Sequence, residues 1–432
     1  MRKRSFTVCG ALFALGVANI SAAAQPAGEA PVVPSSVPGW DALINSLKAL
    51  PDRMLNKLPE TMRADPQVRQ EVARVALAAV ASQSIDALGS DGDRPQFLPS
   101  IGQIFNIGQP NADTVYKTAK ITPGGAYRLR GERGSMRMAV IAEIGPRPVQ
   151  DPQSTTPSLG PPRTIHDLNH FPVDAGGRFD VILSPERPSG WTGAWRRLDP
   201  TTNALMMRLV SSDWRVEREP TVAIERIDRQ PEKSRAAAAD LEGRLRGLAS
   251  SIEFIGPMFM GHVEQLRQEG FVNKLKVFDI SQGGGLPGQF YYEGAYDLTG
   301  DEALIVEAKA PAGCKYRSLI LTNELYETTD WYNNHSSLND TQASLDPDGV
   351  LRIVISEQDP GVPNWLATAG YLRGAVQGRW TNCDSNPVPS IRKVKLRDVR
   401  SHLPAETPII SPEERERTIR DRRAALLERN LW

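Results

Sequence analysis

Apolar residues recur along this chain in two periods, and the change of period divides it into blocks. Trp40, Leu43, Ile44, Leu47 and Leu50 fall at helical spacing. A second helix is predicted from Asp65 as N-cap and Pro66 in the first turn. It carries Val68, Val72, Val75, Leu77 and Leu88, and Gly89 stands where a C-terminal cap belongs. From residue 97 to about 214 the period shortens to short β runs parted by Gly and Pro, among them residues 126–129, 138–142, 179–183 and 204–209. Residues 234–270 return to helical spacing through Leu241, Leu245, Leu248, Ile252 and Ile255, with Pro257 expected to break the run. Gly283, Gly284 and Gly285 make a joint, after which β texture fills residues 290–380. Ser411-Pro-Glu-Glu414 is a capping box for a final charged helix running towards Trp432.

The two β blocks resemble each other. Asp174-Ala-Gly-Gly-Arg-Phe-Asp-Val-Ile-Leu-Ser184 lies over Asp346-Pro-Asp-Gly-Val-Leu-Arg-Ile-Val-Ile-Ser356 without a gap, each copy followed by a Pro and then a Trp, Trp191 and Trp365. Each reads as a tight Asp-x-x-Gly turn feeding an extended strand. Such turn chemistry also arises by chance, but Lys120-Ile-Thr against Asp297-Leu-Thr repeats upstream at a similar offset. The reading is an internal duplication. The fold class expected is therefore α+β: two antiparallel β-sandwich or jelly-roll-like modules with N-terminal, connecting and C-terminal helices. The expected boundaries are N-terminal helices to residue 96, modules at 97–214 and 288–385, a helical connector at 215–287 and a C-terminal extension at 386–432.

The first residues alter the picture of where the protein works. Arg2-Lys3-Arg4, an apolar stretch from Phe6 to Val17 and the small residues Ser21-Ala22-Ala23-Ala24 make a signal peptide of residues 1–24, too short to span a bilayer, followed by a Pro- and Ala-rich leader. Export to the periplasm or outside is expected. The whole chain has 51 basic and 51 acidic residues; removing Arg2, Lys3 and Arg4 leaves 48 against 51, a net of about −3. That balance gives no footprint for nucleic acid, and no membrane span is expected in the mature protein. Cys314 and Cys383 then remain, and an oxidising compartment favours a disulfide between them.

Catalytic signatures are sparse. The chain has no Gly-x-Ser-x-Gly elbow, phosphate loop or Cys-x-x-Cys pair. His166 and His170 have metal-ligand spacing, but the Pro172 that follows favours loop histidines, so no metal and no cofactor are expected. Two polar constellations carry the candidate site. Asn111, Asp113 and Tyr116 precede the first module. Arg317, Asn323, Trp331, Tyr332 and His335 crowd a short stretch of the second, with Asn364, Trp365 and Arg379 beyond. Aromatics with convergent amides suit a small-molecule or saccharide ligand. In an enzyme reading, a hydrolase or lyase acting on such a molecule, Arg317 orients an anionic oxygen and His335 or Asp113 exchanges a proton. In a binding reading, Trp331, Tyr332 and Trp365 stack a ligand without turnover. A homo-oligomer is compatible with either.

Asn111-Ala-Asp-Thr-Val-Tyr116, Tyr316-Arg-Ser-Leu319, Ser336-Ser-Leu-Asn-Asp340 and Gly361-Val-Pro-Asn-Trp-Leu-Ala-Thr-Ala-Gly370 with Arg379-Trp380 resemble the bacterial family called domain of unknown function 1214. The resemblance is closest over residues 290–380 and looser over 106–191. It implies a β-rich bacterial protein of two modules with no settled reaction. The domain of unknown function 1254, which often accompanies that family, is not traced here.

Overall fold

A computed structural model describes residues 36–146, 163–230, 235–278, 285–286 and 288–429. The expected signal peptide and most of the leader lie outside those residues, as do Gly283, Gly284 and Trp432. The described residues from Gly39 onward form one compact unit.

Three helices open it: α1 (Trp40–Leu55), α2 (Glu60–Ala64) and α3 (Pro66–Gly89). Asp65 caps α3 by accepting from the Gln67 amide at 2.8 Å, as its position before Pro66 predicts. Val72 and Val75 bury against α1, but Leu77 and Leu88 stay exposed, off the packed stripe. By length and composition alone, α3 could cross a membrane. Its buried side packs with Leu50, Met54 and the connecting helix residue Ile252.

The first module holds β1 (Leu98–Pro99), β2 (Thr114–Lys120), β3 (Tyr127–Glu132), β4 (Met138–Ile144), β5 (Ile165–Asp167), β6 (Arg178–Ser184), β7 (Ala194–Arg197), β8 (Ala204–Val210) and β9 (Thr221–Arg226). They build one sheet of order β1-β2-β8-β4-β5 and another of order β7-β6-β3-β9. Two connecting helices follow, α4 (Ala238–Ile255) and α5 (His262–Gln268), separated around Pro257 as predicted. The second module holds β10 (Lys276–Phe278), β11 (Gln289–Asp297), β12 (Glu302–Lys309), β13 (Cys314–Leu321), β14 (Ser337–Asn339), β15 (Val350–Ser356), β16 (Trp365–Ala367), β17 (Arg373–Cys383) and β18 (Ser390–Lys395). Its sheets run β10-β11-β17-β13-β14 and β16-β15-β12-β18, the first module's orders with nine added to each strand. Helix α6 (Pro412–Leu427) closes the described chain, with the Ser411–Glu414 capping box formed. The fold is thus α+β, with two β-sandwich modules, each closed on its own apolar core. β9, β10 and β18 carry the modules past the expected limits of 214, 288 and 385.

The duplication reaches single atoms. In both modules one strand pair is parallel, β6 with β7 and β15 with β16. Gly177 and Gly349 close the two Asp turns at φ 75° and 73°, a region that favours glycine. Ser184 Oγ donates to the Glu186 carbonyl at 2.6 Å, and Ser356 Oγ to the Gln358 carbonyl at 2.7 Å. The Trp correspondence needs correction. Trp195, not Trp191, is the counterpart of Trp365: each sits in register beside the same strand position, and each indole N–H donates to the repeated serine, at 2.9 and 3.0 Å. Two extra residues between the repeated serine and the Trp of the first module hide this from a gapless alignment.

Cys314 and Cys383 face each other across β13 and β17 and are joined by a disulfide.

Candidate functional site

Side chains alternate across a strand, so each five-stranded sheet has a core face and an outer face. On β17, Val376 and Trp380 enter the core, while Gln377, Arg379 and Thr381 point the other way. The neighbouring strands match them: Tyr291 stands beside Arg379 and Glu293 beside Gln377 on β11, and Ser318 beside Arg379 and Tyr316 beside Thr381 on β13. This polar face is buried, with Glu293 at 0 % and Arg379 at 5 % exposure. Part of it meets the outer face of the first module's five-stranded sheet, where Met138 and Val210 pack on Tyr316.

Asp113 is the junction of that meeting. Its Oδ1 accepts from the Trp214 indole and the Asn339 amide, both at 2.8 Å, and its Oδ2 from the Tyr316 hydroxyl at 2.6 Å. Burial pushes its carboxyl up, and the three hydrogen bonds pull against that. Burial and the adjacent Asp113 charge raise the Tyr316 hydroxyl well above its ordinary value, so it stays a donor. Asn111 completes the ring by donating to Tyr316 at 2.8 Å, and Tyr116 accepts from the Asn111 amide at 3.3 Å. The expected group of Asn111, Asp113 and Tyr116 is therefore brought together, with Asp113 fully engaged in tying the modules to each other.

Arg379 is engaged far less. One of its terminal nitrogens donates to Gln377 Oε1 at 3.1 Å, and its guanidinium lies 5.0 Å from the Tyr291 ring centre. Among the described residues its Nε has no hydrogen-bond partner, nor has the hydroxyl of Thr381 on the same strand face. No carboxylate among the described residues lies within ion-pair distance of it. Burial opposes its charge, while Tyr291, Tyr316, Tyr116 and Asp113 favour it, and the balance keeps it cationic. On the Gln377 side stands a cluster that the sequence reading missed. Glu293 accepts from His262 Nε2 at 3.1 Å and from the Tyr326 hydroxyl at 3.2 Å, and Gln377 donates to that hydroxyl at 2.9 Å. Tyr326 holds a left-handed backbone, φ 63°, a strained state for a bulky residue. The readable signal was period two: Tyr291-x-Glu293 and Gln377-x-Arg379-x-Thr381 are polar every second residue in otherwise apolar strands.

The other expected site residues lie elsewhere. Arg317 sits beside Trp380 on the core side of β13, opposite in face to Ser318 and Arg379, so it does not join them. Asn323 closes its own loop, accepting from the Leu325 and Glu327 amides and donating to Glu327. Trp331 and Tyr332 pack with Trp214, Ala425 and Leu426 under α6. His335 stacks on Trp365 with ring centres 6.1 Å apart, and its Nδ1 faces the Trp365 carbonyl. Burial, Arg422 and Arg415 hold it well below its ordinary pKa, so it is a neutral packing residue. Asn364 clamps backbone, donating to the Ser344 and Arg352 carbonyls at 2.7 and 3.0 Å and accepting from the Ser344 amide at 3.1 Å. His166 belongs to β5 and is buried against Glu143 instead of standing in a solvated loop. Among the described residues no group of three or more His, Cys, Asp or Glu could hold a metal ion.

No family model matches the chain, and no curated protein sequence matches it. Its fold is similar to the crystal structure of an uncharacterised protein from Burkholderia cenocepacia, with a TM-score of 0.73 and 25 % identity over 83 % of this chain and 97 % of that one. A Vibrio parahaemolyticus protein aligns over 75 % of this chain and 99 % of its own, at 13 % identity and a TM-score of 0.40, too distant to argue from.

Proposed function

We propose that this is an exported bacterial protein, allied to the domain-of-unknown-function 1214 family, that takes up a small organic anion at the Arg379 row. The observation that carries the reading is the guanidinium itself. A buried charge is costly unless paired, and Arg379 lacks a carboxylate among the described residues while keeping an unpartnered Nε and an unpartnered Thr381 hydroxyl beside it. A ligand carboxylate would satisfy both donors, and Tyr291 would flank it. The Cys314–Cys383 disulfide fits the oxidising compartment that export implies.

Turnover, as a hydrolase or lyase, is supported by a proton-transfer pair on the same sheet face, Glu293 with His262. Non-catalytic binding is the second reading, favoured by the saturation of Asp113, which leaves that carboxylate no role beyond structure. The test is a thermal-shift panel of succinate, pyruvate and benzoate against their neutral amides, on the wild type and Arg379→Met. At least one carboxylate should raise the melting temperature of the wild type alone, by mass action on the folded state. Equal shifts with the amides, or with the variant, would sink the reading. Loss of the bound acid on incubation separates turnover from binding.

A further inference from the structure

The duplication supplies its own control, because what both modules share serves the fold and what only one carries calls for another account. At one end of the first sandwich Glu143 and His166 are both about 5 % exposed, and His166 Nε2 meets Glu143 Oε1 at 2.9 Å. The other oxygen, Oε2, accepts from the Thr202 hydroxyl at 2.8 Å and the Asp199 amide at 3.1 Å. Counted through the strand registers, the second module has Asn323 and Ser336 where these two stand. Arg196 and Arg197 of β7 likewise correspond to Leu366 and Ala367 of β16. Four chemistry-bearing side chains are thus gathered in one module and replaced in the other, so the fold does not need them.

Three of them, His166, Arg196 and Arg197, line one cleft of about 430 Å³ together with His170 and Phe171, and Glu143 stands behind His166. Glu143 accepts three hydrogen bonds, one of them from His166 Nε2, and Nδ1 is the imidazole nitrogen left over. Nδ1 has no partner among the described residues and is not one of the sealed-off atoms lacking one, so it opens to the cleft. Arg196 is spent on the His170 carbonyl at 2.7 Å and on the Phe171 face. The exposed Arg197 side chain has no hydrogen bond or ion pair among the described residues. The acidic residues of the rim are already engaged, Asp167 with Lys315 and Asp199 with Arg163.

We propose that this cleft is a second binding site, separate from the Arg379 row, for a small hydroxy acid whose hydroxyl hydrogen-bonds to His166 Nδ1 while its carboxylate is held by Arg197. The hydroxyl suits Nδ1 because it can pair with that nitrogen as donor or as acceptor, and the carboxylate is called for because the free cation of the cleft is a guanidinium.

Calorimetric titration of the full chain with glycolate, D-gluconate and D-galacturonate tests this, with acetate and glycerol as probes of each function alone. At least one hydroxy acid should bind, with acetate and glycerol at least about tenfold weaker. Arg197→Ala, on an exposed side chain, should weaken that binding by about tenfold or more with an unchanged melting curve. Arg379→Met should leave it unaltered, which keeps failure here distinct from failure at the inter-module site. No heat from any of the three acids up to about 10 mM overturns the proposal. So does equal affinity for acetate or glycerol, an Arg197→Ala variant that binds like the wild type, or loss of binding in Arg379→Met.

Discussion

A residue kept for a ligand and a residue kept for the fold respond oppositely to an apolar replacement, and Arg379→Met separates them. The substitution retains the stem and much of the volume. It removes one hydrogen bond from a charged donor to Gln377 at 3.1 Å, worth about 1.5–3 kcal/mol. It also removes a cation–π contact to Tyr291 at 5.0 Å, worth about 1–2 kcal/mol where desolvated. Against these stands relief from burying an ion without a carboxylate, several kcal/mol even after relaxation. The terms nearly cancel, so the variant should lie within about 1 kcal/mol of the wild type or be up to about 2 kcal/mol more stable. Urea unfolding followed by tryptophan fluorescence reads the difference as a shift in midpoint at constant slope. Asp113→Ala is the contrast, since it strips a common acceptor from three buried donors and should cost about 3–5 kcal/mol. If Arg379→Met falls as far as Asp113→Ala, Arg379 is structural and the argument from its missing partners is refuted.

Cys314→Ser with Cys383→Ser should cost about 4 kcal/mol, as the chain-entropy model gives for a closed loop of 69 residues, and the wild type should show that loss on adding reductant. Asn364→Ala should lose about 1–3 kcal/mol, because the Ser344 and Arg352 carbonyls lose their donor, and Trp365→Ala about 3–5 kcal/mol; urea midpoints rank them. His335 has a folded pKa well below the 6.5 of the unfolded chain, so only the unfolded state gains a proton as pH falls from about 6.5. Its contribution is complete above that pH and is lost below it at up to about 1.4 kcal/mol per unit, a slope that His335→Gln should reduce in unfolding curves from pH 7 to 5.

What could be read from the sequence was local chemistry. The Asp65 cap, the Ser411 capping box, the break at Pro257 and the paired Asp turns each depend on a few adjacent residues, and all formed. The Trp195–Trp365 equivalence was hidden because an insertion changes spacing without changing register. The sequence reading gave the oxygen-orienting role to Arg317, yet only strand parity tells the core side from the outer side, and parity puts Arg379, not Arg317, with Tyr291 and Ser318. Asn364 and His335 looked like ligand groups because amides and imidazoles serve binding and backbone capping equally well. Their partners, the Ser344, Arg352 and Trp365 backbones, stand 20, 12 and 30 residues away along the chain. Glu293 and His262 lie on different elements, which only the closure of α5 over β11 brings within reach.

Whether the Arg379 row holds an organic anion is read by untargeted mass spectrometry of the small molecules that the purified protein retains from a bacterial extract, with Arg379→Met run alongside. At least one small acidic compound should be enriched on the wild type and absent from the variant. Retention of neutral compounds only, or of the same acid by both proteins, would contradict it.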